Sequence, residues 1–131
     1  MYTDTVIEHF TNPRNVGVIE NADGYGKVDS EVCGDMMELY IKVKDGIIED
    51  IKYRTFGCAA AIASSSIATE MVKGQPLSVA AELSDEKVDE ALGGLPNAKL
   101  HCSLLAVSAL HQALADYMQK HPESGAAAQP S

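Results

Sequence analysis

Between Met37 and Lys44 the chain alternates strictly: Met37, Leu39, Ile41 and Val43 take turns with Glu38, Tyr40, Lys42 and Lys44. That period of two predicts a strand with one face buried and one face wet. Asp45-Gly46 marks a hairpin turn, and beyond it Ile51, Tyr53 and Thr55 share a face opposite Asp50, Lys52 and Arg54. A plain two-residue loop would set Ile41 opposite Asp50 and Leu39 opposite Lys52, mixing apolar and charged residues on one face. One extra residue pairs Ile41 with Ile51, Leu39 with Tyr53 and Met37 with Thr55. The pattern therefore predicts a three-residue loop or a bulge near Gly46.

Around this hairpin the signals are mostly helical. Thr3 and Asp4 can cap a short helix carrying Val6, Ile7 and Phe10, which Asn12-Pro13 stops. Asn15 to Asn21 reads as an irregular connection, and Gly24 to Val32 as a weak first strand. Ala59 to Lys73 is helical and apolar nearly all round, so it is expected to be buried on several sides, with Gly74 and Pro76 as stop signals. Ser84 or Asp85 can cap a helix running to about Leu92. Gly93 to Asn97 is an irregular break, and Leu100 to Lys120 is the last and longest helix. On that helix a 100° projection groups Leu104, Val107, His111, Leu114 and Met118 as the apolar stripe, with Cys102 roughly opposite and His111 as a core histidine. The order helix, three strands, helices predicts an α+β domain over residues 1–120, a three-stranded antiparallel meander packed against several helices. Residues 121–131, with Pro122, Gly125, Pro130 and an alanine run, are expected to form a disordered tail.

Composition narrows the function classes. The 131 residues carry a net charge of -9, which argues against broad contact with nucleic acid or an anionic membrane, since both call for a basic face. Nothing in the chain approaches the roughly 18 apolar residues of a membrane span. The N-terminus lacks the pattern of a signal peptide, and an odd cysteine count disfavours a disulfide framework, so the expected setting is the cytoplasm with reduced thiols.

Three cysteines carry the chemistry. A free cysteine taken alone is often no more than a small buried hydrophobe. Here, however, Cys33 precedes Gly34-Asp35, Cys58 lies at a helix N-terminus, and Cys102 follows His101 in the first turn of the last helix. Helix N-termini favour thiolates through their free N–H groups and macrodipole. If the first strand pairs antiparallel with the second, Cys33 and Cys58 converge at one sheet edge. Asp35 would be a hard oxygen donor, weaker than thiolate for a soft metal, and His101 could ligate or pass protons. His9 and His121 carry no signal. Gly24-Tyr25-Gly26 is no phosphate loop, Ser64-Ser65-Ser66 lies within a helix rather than on a nucleophile elbow, and no CxxC pair exists. The residues themselves point to a three-thiolate site for iron–sulfur or zinc.

At this point the residues resemble a known family. The segments His9 to Gly17, Val32-Cys33-Gly34-Asp35, Thr55-Phe56-Gly57-Cys58 with Ala61 to Ser66, and Lys99 to Ala106 are similar to the iron–sulfur cluster assembly scaffold IscU, whose domain also forms the N-terminal part of NifU. The likeness runs from about Tyr2 to Lys120. It implies a scaffold rather than an enzyme, one that builds a labile [2Fe–2S] cluster from iron and persulfide sulfur and passes it to apo-acceptor proteins. By this likeness Cys33, Cys58 and Cys102 are the thiolate ligands. Asp35 is the residue that keeps the cluster labile, His101 is a fourth-ligand candidate, and Lys99 is a lysine near the site. A cysteine desulfurase would supply persulfide sulfur, with Cys102 matching its acceptor; an iron donor is a further expected partner. Zinc can occupy the same residues, and a cluster shared across a homodimer is consistent with an exposed site.

Two departures stand out. The family's Leu-Pro-Pro-Val-Lys segment, read by an Hsp70 chaperone, is here Leu95-Pro96-Asn97-Ala98-Lys99, and Val107-Ser108 replace the acidic residues that usually follow Leu105-Ala106. Both weigh against chaperone-assisted transfer. The runner-up is a zinc-binding sulfur acceptor of the SufU type, which typically carries an insertion between its second and third cysteines that this chain lacks. A zinc hydrolase would need a general base, for which only Asp35 or His101 is at hand.

Overall fold

The structure, a computed structural model, describes residues 3–29, 34–95 and 100–120, with only the backbone of Leu100 and His101. Helix α1 spans Asp4–Thr11, strands β1, β2 and β3 span Gly24–Asp29, Met36–Lys44 and Ile47–Phe56, and helices α2 to α5 span Ala59–Val72, Leu77–Glu82, Asp85–Ala91 and Leu100–Lys120. The strands form one antiparallel sheet in the order β1-β2-β3, the expected meander. The expectation for the tail falls on 121–131, outside the described residues; residues 30–32, the far end expected for the first strand, and Cys33 after it lie outside them too.

The register follows the apolar pattern. Ile41 pairs with Ile51, Leu39 with Tyr53 and Met37 with Thr55, which puts Met37, Leu39, Ile41, Ile51 and Tyr53 into the core. The extra residue is a bulge, and the loop keeps two residues. Asp45 and Gly46 both take positive φ (55° and 74°), the geometry of a tight primed turn that suits strand twist. Lys44 then faces Ile47 and Val43 faces Ile48, but Lys42 faces Asp50. Glu49 is left as the bulged residue, and it resets the side-chain alternation for the rest of β3.

The outer edge of β3 is covered by chain that carries no strand signal of its own. Tyr53 N–H donates to Asn15 O (3.0 Å) and Gly17 N–H to Tyr53 O (2.9 Å), while at the other end Ile48 N–H donates to Gln75 O (2.9 Å). Pairing of this kind removes an exposed sheet edge. On the open face, Glu38 ties all three strands together: it accepts from Tyr25 Oη (2.5 Å) and from Arg54 Nη2 (2.5 Å). The bond to Glu38 pushes the Tyr25 hydroxyl up to about 12.

The helices pack on the other face, and here two expectations fail. Of the expected stripe, Val107 and Leu114 are buried, but Leu104 is 51% exposed and His111 is exposed; the buried face also takes in Cys102, Leu105, Ala106, Ala109, Leu110, Ala113 and Tyr117. Cys102 is therefore a core residue rather than one opposite the core, and His111 is a surface histidine. The reason is a backbone-to-backbone approach. A β-carbon at Gly24 or Gly26 would overlap the carbonyl oxygen of Ala113 or Ala109, so β1 lies directly against α5. Only small residues fit at such a crossing, so a stripe drawn through the larger side chains finds Val107 and Leu114 but passes over Ala109 and Ala113.

Two smaller elements also differ from expectation. Helix α3, after the Pro76 N-cap, lies where no element is predicted; it buries Leu77 and Ala80. Helix α1 is capped by Thr3, whose hydroxyl accepts from Val6 N–H and is also hydrogen-bonded to Leu92 O. It buries Val6 and His9 but leaves Ile7 and Phe10 on the surface. His9 Nδ1 lies 2.7 Å from Ser66 Oγ, which also accepts from Arg14 N–H (2.9 Å). This buried polar contact joins α1 to α2.

Candidate metal-binding site

Three elements converge at the β1–β2 end of the sheet. Asp35 immediately precedes β2, Cys58 is the N-cap of α2, and Cys102 lies in the first turn of α5. Cys58 caps with its backbone alone: its carbonyl accepts from Ala61 N–H (3.0 Å) and Ile62 N–H (3.2 Å), and its side chain makes no cap bond. The sulfur is therefore free to face the neighbouring helix. Asp35 is 6% exposed and Cys102 1%, while Cys58 is half-buried.

The spacing identifies the chemistry. Cys58 Sγ lies 3.7 Å from Cys102 Sγ and 4.0 Å from Asp35 Oδ2, and one ligand atom from each residue falls within 4.8 Å of the others. A disulfide would need about 2.05 Å, so the two cysteines are not bonded to each other. Two thiolates on one tetrahedral metal with bonds of about 2.3 Å stand about 3.8 Å apart. The cysteine pair thus already has the edge length of a tetrahedral centre. The corresponding sulfur–oxygen edge is about 3.5 Å, so the carboxylate stands roughly half an ångström too far from the Cys58 sulfur. Two soft donors in place and one hard donor slightly withdrawn suit zinc or thiolate-bound iron and disfavour magnesium or calcium.

Of the residues picked out by sequence, Asp35, Cys58 and Cys102 are brought together. Cys33 and Lys99 lie outside the described residues, as does the side chain of His101. Sequence reasoning missed two contributors. Gly57 admits the Asp35 carboxylate, and His9 anchors α1 to the helix that carries Cys58. An aspartate two residues from one cysteine and a glycine immediately before the next was the available signal for Gly57. His9 offered none, because its partner Ser66 is 57 residues away.

An antiparallel sheet with helices on one face and a helix-borne thiol pair facing a strand-end carboxylate defines an α+β protein with a donor group suited to a soft metal. The chain belongs to the NifU-like N-terminal domain family, which matches residues 1–124. It is 60% identical over 121 residues to the iron–sulfur cluster assembly scaffold protein IscU 1 of Archaeoglobus fulgidus, covering 92% of this chain and 79% of that one. Among solved structures it is similar to a NifU-like N-terminal protein of Brucella abortus, with TM-score 0.71, 21% identity, and 90% and 94% of the two chains covered. It is also similar to a protein described as an iron–sulfur cluster assembly scaffold for the SUF system of Fervidobacterium islandicum, with TM-score 0.68, 25% identity, and 86% and 95% covered. No described helix is long and apolar enough to cross a membrane.

Proposed function

We propose that this chain is a scaffold on which an iron–sulfur cluster is assembled and from which it is passed to apo-acceptor proteins. The observation that carries the reading is the pair of cysteine sulfurs at 3.7 Å beside a buried carboxylate at 4.0 Å, in a chain 60% identical to a protein named for that role. Cys33, Cys58 and Cys102 would hold a [2Fe–2S] cargo. Asp35 would supply the weak fourth contact that keeps it transferable, with His101 the competing fourth ligand and Lys99 close by. Zinc would fit the same donors. Residues 1–120 would act as one cytoplasmic domain, alone or as two copies sharing a cluster.

Sulfur delivery is the step on which burial bears most. A cysteine desulfurase would present a persulfide, and a thiolate of this chain would attack its terminal sulfur. The donor's S–S bond breaks, a new S–S bond forms here, and the donor leaves as thiolate. Cys102 is the acceptor the family resemblance implies, yet it is 1% exposed. Acceptance at Cys102 would thus require whatever covers it to move, and Cys58 is the easier thiol to reach.

Anaerobic reconstitution with iron, cysteine and a desulfurase tests the reading. Expected are visible charge-transfer absorption and about one [2Fe–2S] per site, with slower cluster loss to apo-acceptors in Asp35→Ala. A colourless protein that holds zinc tightly would instead favour the zinc-binding sulfur acceptor of the SufU type. The span of 44 residues from Cys58 to Cys102 lacks the insertion typical of that branch.

A further inference from the structure

Gly57 stands between Phe56, the last residue of β3, and Cys58, the N-cap of α2. Its backbone does not call for glycine. The glycines with positive φ are Gly17, Gly34, Gly46, Gly74, Gly93 and Gly94, and Gly57 is not among them. What calls for it is space. A β-carbon there would stand 2.8 Å from Asp35 Cγ, 2.9 Å from Asp35 Oδ1 and 3.1 Å from Ala61 Cβ. Carbon contacts under 3 Å cannot be accommodated without movement. Ala61 belongs to the buried face of α2, so the carboxylate is the partner left to yield. Among the described glycines, only at Gly57 does a carboxylate fill the space of the missing side chain.

We propose that Gly57 is a positioning residue for Asp35: the absent side chain is the seat that holds the carboxylate beside Cys58. The inference rests on the reading of Asp35 as the cargo-facing oxygen donor. It adds that this donor's place is set by the residue before Cys58, so that any side chain there expels the carboxylate and makes the site behave as if Asp35 were missing. A role in folding alone would weaken the protein without changing which atoms surround a bound metal.

Four proteins decide it: wild type, Gly57→Ala, Asp35→Ala and the double variant. Each is read three ways: by the visible spectrum of cobalt(II) bound alone, by the rate of cluster transfer to an apo-ferredoxin, and by urea unfolding of the apo form. Gly57→Ala is expected to take on the cobalt spectrum of Asp35→Ala and to slow transfer to the same level. The double variant should differ from Asp35→Ala by no more than about twofold, the scatter of uncoupled changes. In the apo form Gly57→Ala should destabilise the otherwise wild-type chain and be nearly neutral when added to Asp35→Ala; folding of the double but not of Gly57→Ala alone would be the same result in stronger form. A wild-type cobalt spectrum in Gly57→Ala overturns the proposal, as do slowing factors that multiply in the double variant. If Asp35→Ala itself transfers at the wild-type rate, the labilising role of Asp35 has failed. The apo-form coupling then still decides the positioning claim.

Discussion

Replacing Gly26 by alanine probes the contact that most shapes this fold. The added carbon would overlap the Ala109 carbonyl oxygen and lie 2.8 Å from the Ala113 nitrogen and 2.9 Å from Gln112 Cβ. Two of these three are main-chain atoms of a helix, so no rotamer change relieves them, and β1 must draw back from α5. Overpacking of a tight interior costs about 1–3 kcal/mol, and a rigid backbone partner places this case at the upper end. Alanine regains about 0.4–1 kcal/mol by restricting the unfolded chain. The net loss is about 2 kcal/mol, a large share of the 5–15 kcal/mol of a typical domain and worth on the order of 8 °C in Tm at this size. Urea unfolding followed by far-UV circular dichroism measures it, with Lys27→Ala, on the exposed face one residue along, as a control expected within about 0.5 kcal/mol of wild type. The variant should also bind zinc more weakly, because Cys102 sits seven residues, about 10.5 Å, along α5 from Ala109. A Gly26→Ala protein as stable as the control would refute the claim that backbone contact sets the β1–α5 spacing.

Further outcomes follow from other parts of the structure. Burial, followed by the nearby Arg14 charge, holds His9 below its ordinary value, against smaller opposing effects of Glu70 and Glu8. The folded state therefore binds fewer protons than the unfolded one as pH falls through about 6.5. His9 contributes its full stability above that pH and loses it below, by at most about 1.4 kcal/mol per pH unit; His9→Gln should flatten this slope in urea midpoints taken from pH 7.5 to 5.5. Cys58→Ser and Cys102→Ser should each lower zinc affinity by an order of magnitude or more, since each replaces a soft donor by a hard one, and competition with a chromogenic chelator reads the loss. Deleting Glu49 should be tolerated, because Ile48 and Asp50 then continue the alternation unbroken and the Ile41–Ile51 pairing persists as a cross-strand nuclear Overhauser contact. Deleting Lys52 should unfold the hairpin by turning Ile51 or Tyr53 to the wrong face.

Alternation made β2 and β3 legible, and their register came from refusing to place Ile41 opposite a charge. The cysteines marked the site for the same kind of reason, since their neighbours Asp35 and His101 were chemically suggestive without any fold. What stayed hidden was set by contacts that leave no periodic trace. The inward face of α5 is chosen by Gly24 and Gly26 of a distant strand, so its alanines outrank Leu104. His9 is buried because Ser66 offers it a partner, and Asn15 to Gly17 become an edge cover only through Tyr53. Helix α3 has six residues, too few for a helical period to declare itself.

The placement of the three described site residues divides the site into two unlike halves. Cys58 and Cys102 start helices that pack on one another within a common core, so their separation is as stiff as the core itself. Asp35 ends the six-residue connection between Asp29 and Met36, and Cys33 belongs to the same connection in sequence. Cargo held by these residues, as proposed, would be a chelate with one arm fixed by the two helices and one arm carried just ahead of β2. While the fixed pair still grips, the second arm stays at high effective concentration and rebinding outpaces escape. On the proposed reading, an acceptor's thiol that took the place of Asp35 would hold the cargo from two proteins at once, and hand-over would be an exchange of ligands that never sets the metal free.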